Sequence, residues 1–226
     1  MEEAKGLIIT GIVTVVILVG GILLLSKGGG GNSNKTPSPV NPDVLIHADS
    51  HQTASASAKV SIVEFGDYRC PACKEAYPVA KQVIKDYGSK INFVFRNYAF
   101  LPDSPTNSTP NASTLAANAA ECASDQNKFW EMHDYFYDHQ PPETDISMYT
   151  VDTLTKDANT LGIDTVKFKS CLTAKVDNGR VQKDFADGQI AGVTGTPSFF
   201  INGSLLPGVP TYNDFKGIID QILAQK

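Results

Sequence analysis

The sequence predicts an α/β domain that carries an inserted helical segment and follows an N-terminal transmembrane helix. Two β-rich runs, at 60–65 and 90–96, flank a helical pattern, and a β pattern returns only at 194–208. Helical periodicity dominates the stretch between them, about 113–192. Strand–helix–strand order implies a parallel pair with a right-handed crossover. An uncharged apolar run, 7–25, precedes the whole domain.

The apolar run is long enough, at about 1.5 Å per residue, to cross a hydrocarbon core of ~30 Å. A cleaved signal peptide is the alternative, but the preceding MEEAK carries two acids and no A-x-A site follows. We therefore predict an anchor over 1–26, a flexible Gly/Ser/Pro tether over 27–44 and a folded domain over 45–226. Flanking lysines do not decide the orientation. The CxxC motif at 70–73 and two further cysteines favour a single-pass protein of the cell membrane with the domain of 45–226 outside the cytoplasm.

The domain is organised around Cys70-Pro71-Ala72-Cys73, which follows the first β-rich run and begins a helical pattern. A strand, a tight turn and CxxC at a helix start are typical of the thioredoxin redox motif. Pro71 suits the first helical position. Cys70 then lies at the helix N-terminus, where unpaired N–H groups and the dipole favour a thiolate, and Arg69 adds positive charge. Cys73, one turn inward, is the expected resolving thiol.

A zinc half-site and a structural disulfide are the alternatives for the same motif. Zinc needs four ligands, and the sequence offers one CxxC and four histidines without a close pair. A structural bridge gives no reason for a helix N-terminus. The net charge of −5 and the lack of a Lys/Arg run argue against a nucleic-acid partner. The sequence therefore predicts redox chemistry in a monomer, with no metal and no other cofactor.

The later elements are predicted from local patterns. Phe200-Ile201 and Leu205-Leu206 flank Asn202-Gly203-Ser204, which is a hairpin signal, and 214–223 form an amphipathic helix. Cys122 and Cys171 lie on different predicted helices of the insert. Outside the cell we expect a disulfide between them, closing a loop of about 49 residues. Two buried free thiols are the alternative.

Three segments, VEFGDYRCPAC, KFWEMHDYFY and GVTGTPSFFING, together with the helical insert, resemble the DsbA-like thiol-disulfide oxidoreductases. The resemblance spans about 45–226 and is strongest to their membrane-anchored, BdbD-like branch. It implies a thioredoxin fold. The sequence departs from the best-known oxidase at the central dipeptide, where Pro71-Ala72 replaces Pro-His. Loss of that His removes one thiolate-stabilising group, so the resemblance implies a less oxidising protein.

The resemblance also assigns roles to particular residues. Cys70 is the nucleophile, Cys73 the resolving cysteine, and Pro197 a cis-proline opposite the active site. Thr196 would offer backbone groups to the extended chain of a substrate. Glu64, six residues before Cys70, matches a buried acid that serves proton transfer near the resolving thiol; the alternative is an ordinary strand-face glutamate. Some relatives carry a second disulfide in the helical insert, which agrees with the pairing predicted above.

The implied function is an extracytoplasmic oxidase that introduces disulfides into reduced secreted or surface proteins. A DsbB-like or VKOR-like membrane quinone reductase would reoxidise it. A reductase or isomerase with the same residues and a lower reduction potential remains open. So does a tethered module that holds clients non-covalently and uses its CxxC only as a structural staple.

Overall fold

The structure, a computed structural model, describes residues 38–53, 58–107, 109, 111–174 and 178–225. The predicted anchor, 1–26, and the predicted tether up to residue 37 lie outside these residues. Within the described parts of the chain, no helix is long and apolar enough to cross a membrane.

The elements follow one another as an N-terminal arm, a first β–α–β unit, five helices, a hairpin and a final helix. They are α1 (Pro42–Leu45), β1 (His51–Gln52), β2 (Val60–Gly66), α2 (Pro71–Tyr87), β3 (Ile91–Asn97), α3 (Asn111–Ser124), α4 (Phe129–Asp138), α5 (Val151–Thr160), α6 (Thr165–Ala174), α7 (Asn178–Ile190), β4 (Ser198–Ile201), β5 (Ser204–Leu206) and α8 (Tyr212–Ala224). A 3₁₀ turn, Gly88–Lys90, precedes β3.

The strands form one sheet in the order β1-β3-β2-β4-β5. Strands β2 and β3 are parallel, with Val63 opposite Val94, and the other neighbours are antiparallel. Both central strands are almost wholly buried, as expected of a sheet covered on both faces by helices. The α/β fold with a helical insert between β3 and β4 confirms that part of the predicted fold class.

Side chains alternate between two cores, one on each face of the sheet. The larger core contains Phe93 and Phe95 of β3, packed with residues of α2, α3, α4 and α8. The smaller core contains Val94, which packs with Leu45 of α1 and the partly buried Phe185 of α7. This alternation follows from the two-residue period of a strand. It places α3 and α4 of the insert on the face that also carries α2, whereas α7 packs on the opposite face.

The folded part of the chain begins near Pro39, earlier than the predicted residue 45. The Val40 N–H donates to the Gly203 carbonyl oxygen at 2.8 Å, and the Asn41 side chain caps α1. Leu45, at the end of α1, is 2% exposed. The prolines, asparagine and aspartate of 39–44 predict a tether, whereas Val40 and Leu45 pack in the smaller core and hold this arm on the domain.

A disulfide crosslinks two helices of the insert, and a tight turn joins the two strands of the hairpin. Cys122 of α3 and Cys171 of α6 form a disulfide, with their Cα atoms 5.9 Å apart. The turn between β4 and β5 places Asn202 and Gly203 at φ 46° and 83°. A two-residue hairpin turn of this kind requires positive φ at both positions, which is why the Asn-Gly pair marks it in the sequence.

Candidate active site

Cys70 is the N-cap residue of α2 and Pro71 is its first helical residue, as predicted. The turn that leads into it is held by Asp67, which is 1% exposed. The Asp67 carbonyl oxygen accepts from the Cys70 N–H at 3.0 Å, and its carboxylate accepts from the Arg69 N–H at 2.9 Å. Two N–H groups of the loop after β3 complete the shell of that carboxylate. The catalytic turn is therefore braced before the helix begins.

Several hydrogen-bond donors surround the sulfur of Cys70. They lower the pKa of Cys70 from 9.0 to about 6. The Cys73 thiol contributes most, followed by Thr196 and then the backbone N–H groups of Cys73 and Ala72. At neutral pH, Cys70 is therefore a thiolate, which is the attacking form of a cysteine. The N–H groups of the helix N-terminus contribute to this lowering, but the neighbouring Cys73 thiol contributes most.

Thr196 faces Cys70 from the other side of the site. As a thiol, Cys70 donates to the Thr196 carbonyl oxygen, with Sγ and O 3.3 Å apart. A thiolate has no proton to donate, so of these two Thr196 groups only the hydroxyl can stabilise it. That hydroxyl is buried and has no other hydrogen-bond partner within the described residues. The following Thr196–Pro197 peptide bond is cis.

Cys73 and Glu64 lie in the interior behind Cys70. Cys73 is 0% exposed, and burial, followed by the neighbouring Cys70, raises the pKa of its thiol well above the usual value. Glu64 of β2 is 2% exposed, and burial, reinforced by the Cys70 charge, raises its pKa from 4.5 to about 8. Its Oε1 has no hydrogen-bond partner within the described residues. At neutral pH the site therefore holds one thiolate, one thiol and one protonated carboxyl group.

Arg69 does not direct its charge at Cys70, contrary to the prediction from sequence. Its side chain is 2% exposed, and its guanidinium donates to the carbonyl oxygens of Leu101 at 3.1 Å and Glu143 at 3.1 Å. Asp103 lies 3.7 Å from the same group. These contacts hold the loops beside the catalytic turn. The Cys70 thiolate is stabilised by hydrogen bonds around its sulfur instead.

The insert contributes two polar side chains that sequence patterns did not single out. Gln140, just after α4, donates to the carbonyl oxygens of Tyr68 and Cys70 at 2.8 and 3.1 Å. The Tyr149 hydroxyl donates to the same Tyr68 carbonyl at 3.1 Å. A single Gln after a helix carries no local signature, so only the folded structure identifies it. As for metal sites, no three His, Cys, Asp or Glu residues of the described chain lie close enough to hold an ion.

Comparison with known proteins agrees with this geometry. The sequence model of a family described as Thioredoxin matches residues 49–221. A probable disulfide bond formation protein D of Bacillus anthracis is 30% identical over 189 residues, which cover 80% of this chain and 82% of that protein. The Na(+)/H(+) antiporter NhaA 3 of Salinispora tropica is 33% identical over 167 residues, covering 73% of this chain. The chain spans only 22% of the antiporter's length.

Solved structures give the same result. BdbD from Bacillus subtilis, in its oxidised form, superposes with a TM-score of 0.68 at 25% identity, covering 82% of this chain and 96% of BdbD. A thioredoxin-like oxidoreductase from Silicibacter pomeroyi DSS-3 has a TM-score of 0.68 at 23% identity, covering 83% of this chain and all of that one, and shows the shared fold. With a family match over most of its length and CxxC at the N-terminus of α2, the chain belongs to the thioredoxin-like thiol-disulfide oxidoreductases of the DsbA and BdbD type.

Proposed function

We propose that the chain is an extracytoplasmic oxidase that introduces disulfides into reduced secreted or surface proteins through Cys70 and Cys73. The observation that carries this proposal is the opposite pKa shift of the two thiols. A stabilised Cys70 thiolate lowers the free energy of the reduced enzyme. The Cys70–Cys73 disulfide is then easily reduced, which makes it an oxidant toward its client. The Bacillus anthracis relative, whose name states disulfide bond formation, supports the same direction.

The first step is attack of a client thiolate on the Sγ of Cys70. The Cys70–Cys73 bond breaks, a client–Cys70 disulfide forms, and Cys73 leaves with the electron pair. Because burial strongly disfavours a Cys73 thiolate, this leaving group needs a proton at once. Glu64 is protonated at neutral pH and shares the same interior, so we assign it as the proton donor. Glu64 then regains a proton from solvent.

The second step releases the oxidised client. A second client thiolate attacks the client sulfur of the mixed disulfide, and Cys70 leaves as a thiolate. Cys70 is a good leaving group because its pKa is lowered to about 6. The client has lost two electrons and two protons. The enzyme has gained both electrons and one proton, now on Cys73, and the other proton has passed to solvent.

Substrate contact is assigned to the loop around the cis peptide bond. The Thr196 carbonyl oxygen lies 3.3 Å from the Cys70 sulfur, so a chain that is covalently bound to Cys70 passes directly beside it. Backbone groups at this position can accept hydrogen bonds from any extended peptide, whatever its side chains. This arrangement suits an enzyme with many clients. Pro197, the next residue, belongs to the same loop.

Reoxidation requires an electron acceptor, and we assign this role to a membrane quinone reductase of the DsbB-like or VKOR-like type. The predicted anchor over 1–26 would keep the enzyme at the surface where such a partner resides. Confinement of both proteins to one membrane raises their effective concentration. The tether would allow the catalytic domain to reach clients and reoxidant in turn.

Two alternatives make different predictions. A reductase or isomerase would use the same cysteines at a lower potential, and Ala72 in place of the histidine of the best-known oxidase shifts the protein in that direction. A non-covalent client-binding module would keep its binding after Cys70→Ser, whereas an oxidase would lose all activity.

The deciding experiment is the reduction potential of the full chain in glutathione buffers. Known proteins of this fold span about −270 mV for thioredoxin to about −120 mV for DsbA. We expect a value less negative than about −200 mV, where clients are oxidised at the expense of the enzyme. A value near −270 mV would identify a reductase. The lack of any accessible redox couple would favour the client-binding module.

A further inference from the structure

One buried amide connects the helical insert to the catalytic turn. Gln140 is 6% exposed, and its Nε2 donates to the carbonyl oxygens of Tyr68 at 2.8 Å and Cys70 at 3.1 Å. The backbone carbonyl oxygen of Gln140 in turn accepts from Lys74 Nζ at 2.8 Å. A single residue of the insert therefore contacts the turn before α2, the N-cap of α2 and its first turn.

The Cys70 carbonyl oxygen occupies a sensitive position. It also accepts from the Lys74 N–H at 3.2 Å, which is the first backbone hydrogen bond within α2. A second donor on that oxygen fixes the plane of the peptide between Cys70 and Pro71. The N–H groups of Ala72 and Cys73, which stabilise the Cys70 thiolate, belong to the turn that starts at this peptide. Their aim at the sulfur therefore depends on how the carbonyl is held.

Other contacts between the insert and this segment do not reach Cys70. The Tyr149 hydroxyl donates to the Tyr68 carbonyl oxygen at 3.1 Å. The Arg69 guanidinium donates to the Glu143 carbonyl oxygen at 3.1 Å. Among the described residues of the insert, Gln140 is the one whose side chain hydrogen-bonds to Cys70 itself. Gln140 and Tyr149 both donate to the Tyr68 carbonyl oxygen, and Gln140 also donates to the Cys70 carbonyl oxygen.

We infer that Gln140 is a positioning residue through which the insert sets the reactivity of Cys70, by holding the Cys70 carbonyl so that the N–H groups of α2 point at the sulfur. The inference rests on the proposed redox role of Cys70 and assigns to the insert a part in tuning it. Loss of the amide lets the N-cap peptide rotate. The thiolate is then less well solvated by the helix N-terminus, and the reduced enzyme loses its advantage.

The test compares three variants of the full chain. Gln140→Met keeps the length of the side chain and removes both donors. Gln140→Glu keeps the shape but, when ionised, sets carboxylate oxygens against two carbonyl oxygens. Tyr149→Phe is the matched control, because it removes a donor to the Tyr68 carbonyl and leaves the Cys70 carbonyl untouched. For each variant we would measure the Cys70 pKa by thiolate absorbance, the reduction potential in glutathione buffers and the melting temperature.

With Gln140→Met, we expect the Cys70 pKa to rise by about one unit, a tenfold change in thiolate stability. The same tenfold change lowers the reduction potential by about 30 mV. Tyr149→Phe should lower the melting temperature and leave both redox values at those of the unmodified protein. The reduction potential of the Gln140→Glu variant should differ more from that of the unmodified protein at pH 8 than at pH 5, because only the ionised side chain repels the carbonyl oxygens.

Gln140 would be merely structural if Gln140→Met and Tyr149→Phe lowered the melting temperature alike and neither changed the Cys70 pKa. If Gln140→Met did not fold, the Gln140→Glu pH dependence would decide, and a Cys70 pKa equal to that of the unmodified protein would overturn the inference. The thiolate titration uses no client. An unmodified protein with a potential near that of a reductase would therefore refute the proposed oxidase and leave the comparison between variants valid.

Discussion

Replacing Glu64 by Gln should stabilise the reduced protein, and the gain should grow as the pH rises. Glu64 is 2% exposed, and its pKa is raised from 4.5 to about 8 by burial first and then by the Cys70 charge. Between these pH values the unfolded chain releases the proton that the folded protein keeps. The contribution of Glu64 to the stability of the unmodified protein therefore falls as the pH rises from about 4.5 to about 8, and is constant outside this window.

The size of the effect follows from the pKa difference of 3.5 units between 4.5 and about 8. At about 1.4 kcal/mol per unit, ionisation of Glu64 in the unfolded chain costs the folded state about 5 kcal/mol at the upper end of the window. Gln has nearly the same shape and does not titrate. Any constant cost of burying its amide shifts both ends of the window equally, so the change with pH isolates the carboxyl group.

The assay is urea unfolding of reduced protein between pH 4.5 and 8.5, followed by the fluorescence of Trp130, the single tryptophan of the chain. Glu75→Gln, on the exposed face of α2, is the matched control and should show no growing gap. Glu64→Gln should also slow oxidation of a model dithiol by about a hundredfold, because the leaving Cys73 loses its proton donor. A constant gap in stability between the Glu64 variant and the unmodified protein across this range would refute the buried proton, and with it the role assigned to Glu64.

Three further predictions concern the redox couple and the packing. The reduction potential should fall by about 60 mV per pH unit below the Cys70 pKa of about 6 and by about 30 mV above it, measured by equilibration with glutathione, because Cys70 then stays ionised on reduction. Replacing both Cys122 and Cys171 by Ala should lower the unfolding free energy by about 4 kcal/mol in urea, through the 49-residue loop that the bridge closes, with the Cys70 pKa unchanged. Gly188→Ala should destabilise the fold by about 1–3 kcal/mol in the same assay, because an added Cβ would lie 2.7 Å from a tyrosine ring of the smaller core. The control is Gly179→Ala on the same helix, where the added Cβ meets open space and the change should be nearly neutral.

Each of these has a clear contrary result. One slope of potential against pH across the range would mean that Cys70 does not ionise near pH 6. A raised Cys70 pKa in the variant without the second disulfide would mean that the bridge acts on the active site as well as on stability. Equal losses for the two glycine variants would place the cost in the backbone of α7 rather than in the contact of Gly188.

The catalytic turn and the hairpin could be predicted because their determinants are local. Pro71 and the two cysteines define a helix start within four residues, and a cysteine at that position is expected to have a lowered pKa. Asn202-Gly203 marks its turn in the same way. Side chains that act from far along the chain could not be predicted from local patterns. Gln140 lies 70 residues from Cys70 in sequence, and no spacing rule connects them.

Two other features were hidden for physical reasons. Strand β1 has only two residues, His51 and Gln52, so no alternation exists to reveal it, and it forms by pairing with the already buried β3. Arg69 carries a formal charge whose direction depends on tertiary contacts. Its guanidinium is engaged by the carbonyl oxygens of two loops, so proximity in sequence to Cys70 did not give proximity of charge. The groups that a buried Arg of this kind contacts can be identified only from the folded structure.

The two thiols of the motif are three residues apart, yet their environments assign them opposite roles. The Cys73 thiol, Thr196 and the N–H groups of the helix N-terminus together lower the pKa of Cys70. The resistance of Cys73 to ionisation comes from the larger core, which includes Tyr137 and Phe136 of the insert. In the proposed mechanism, Glu64 can protonate Cys73 because β2 lies at the centre of the sheet, where burial lets a carboxyl group keep its proton at neutral pH. The motif alone thus supplies a nucleophile, whereas the insert and the central strand supply the surroundings in which Cys73 is a protonated thiol.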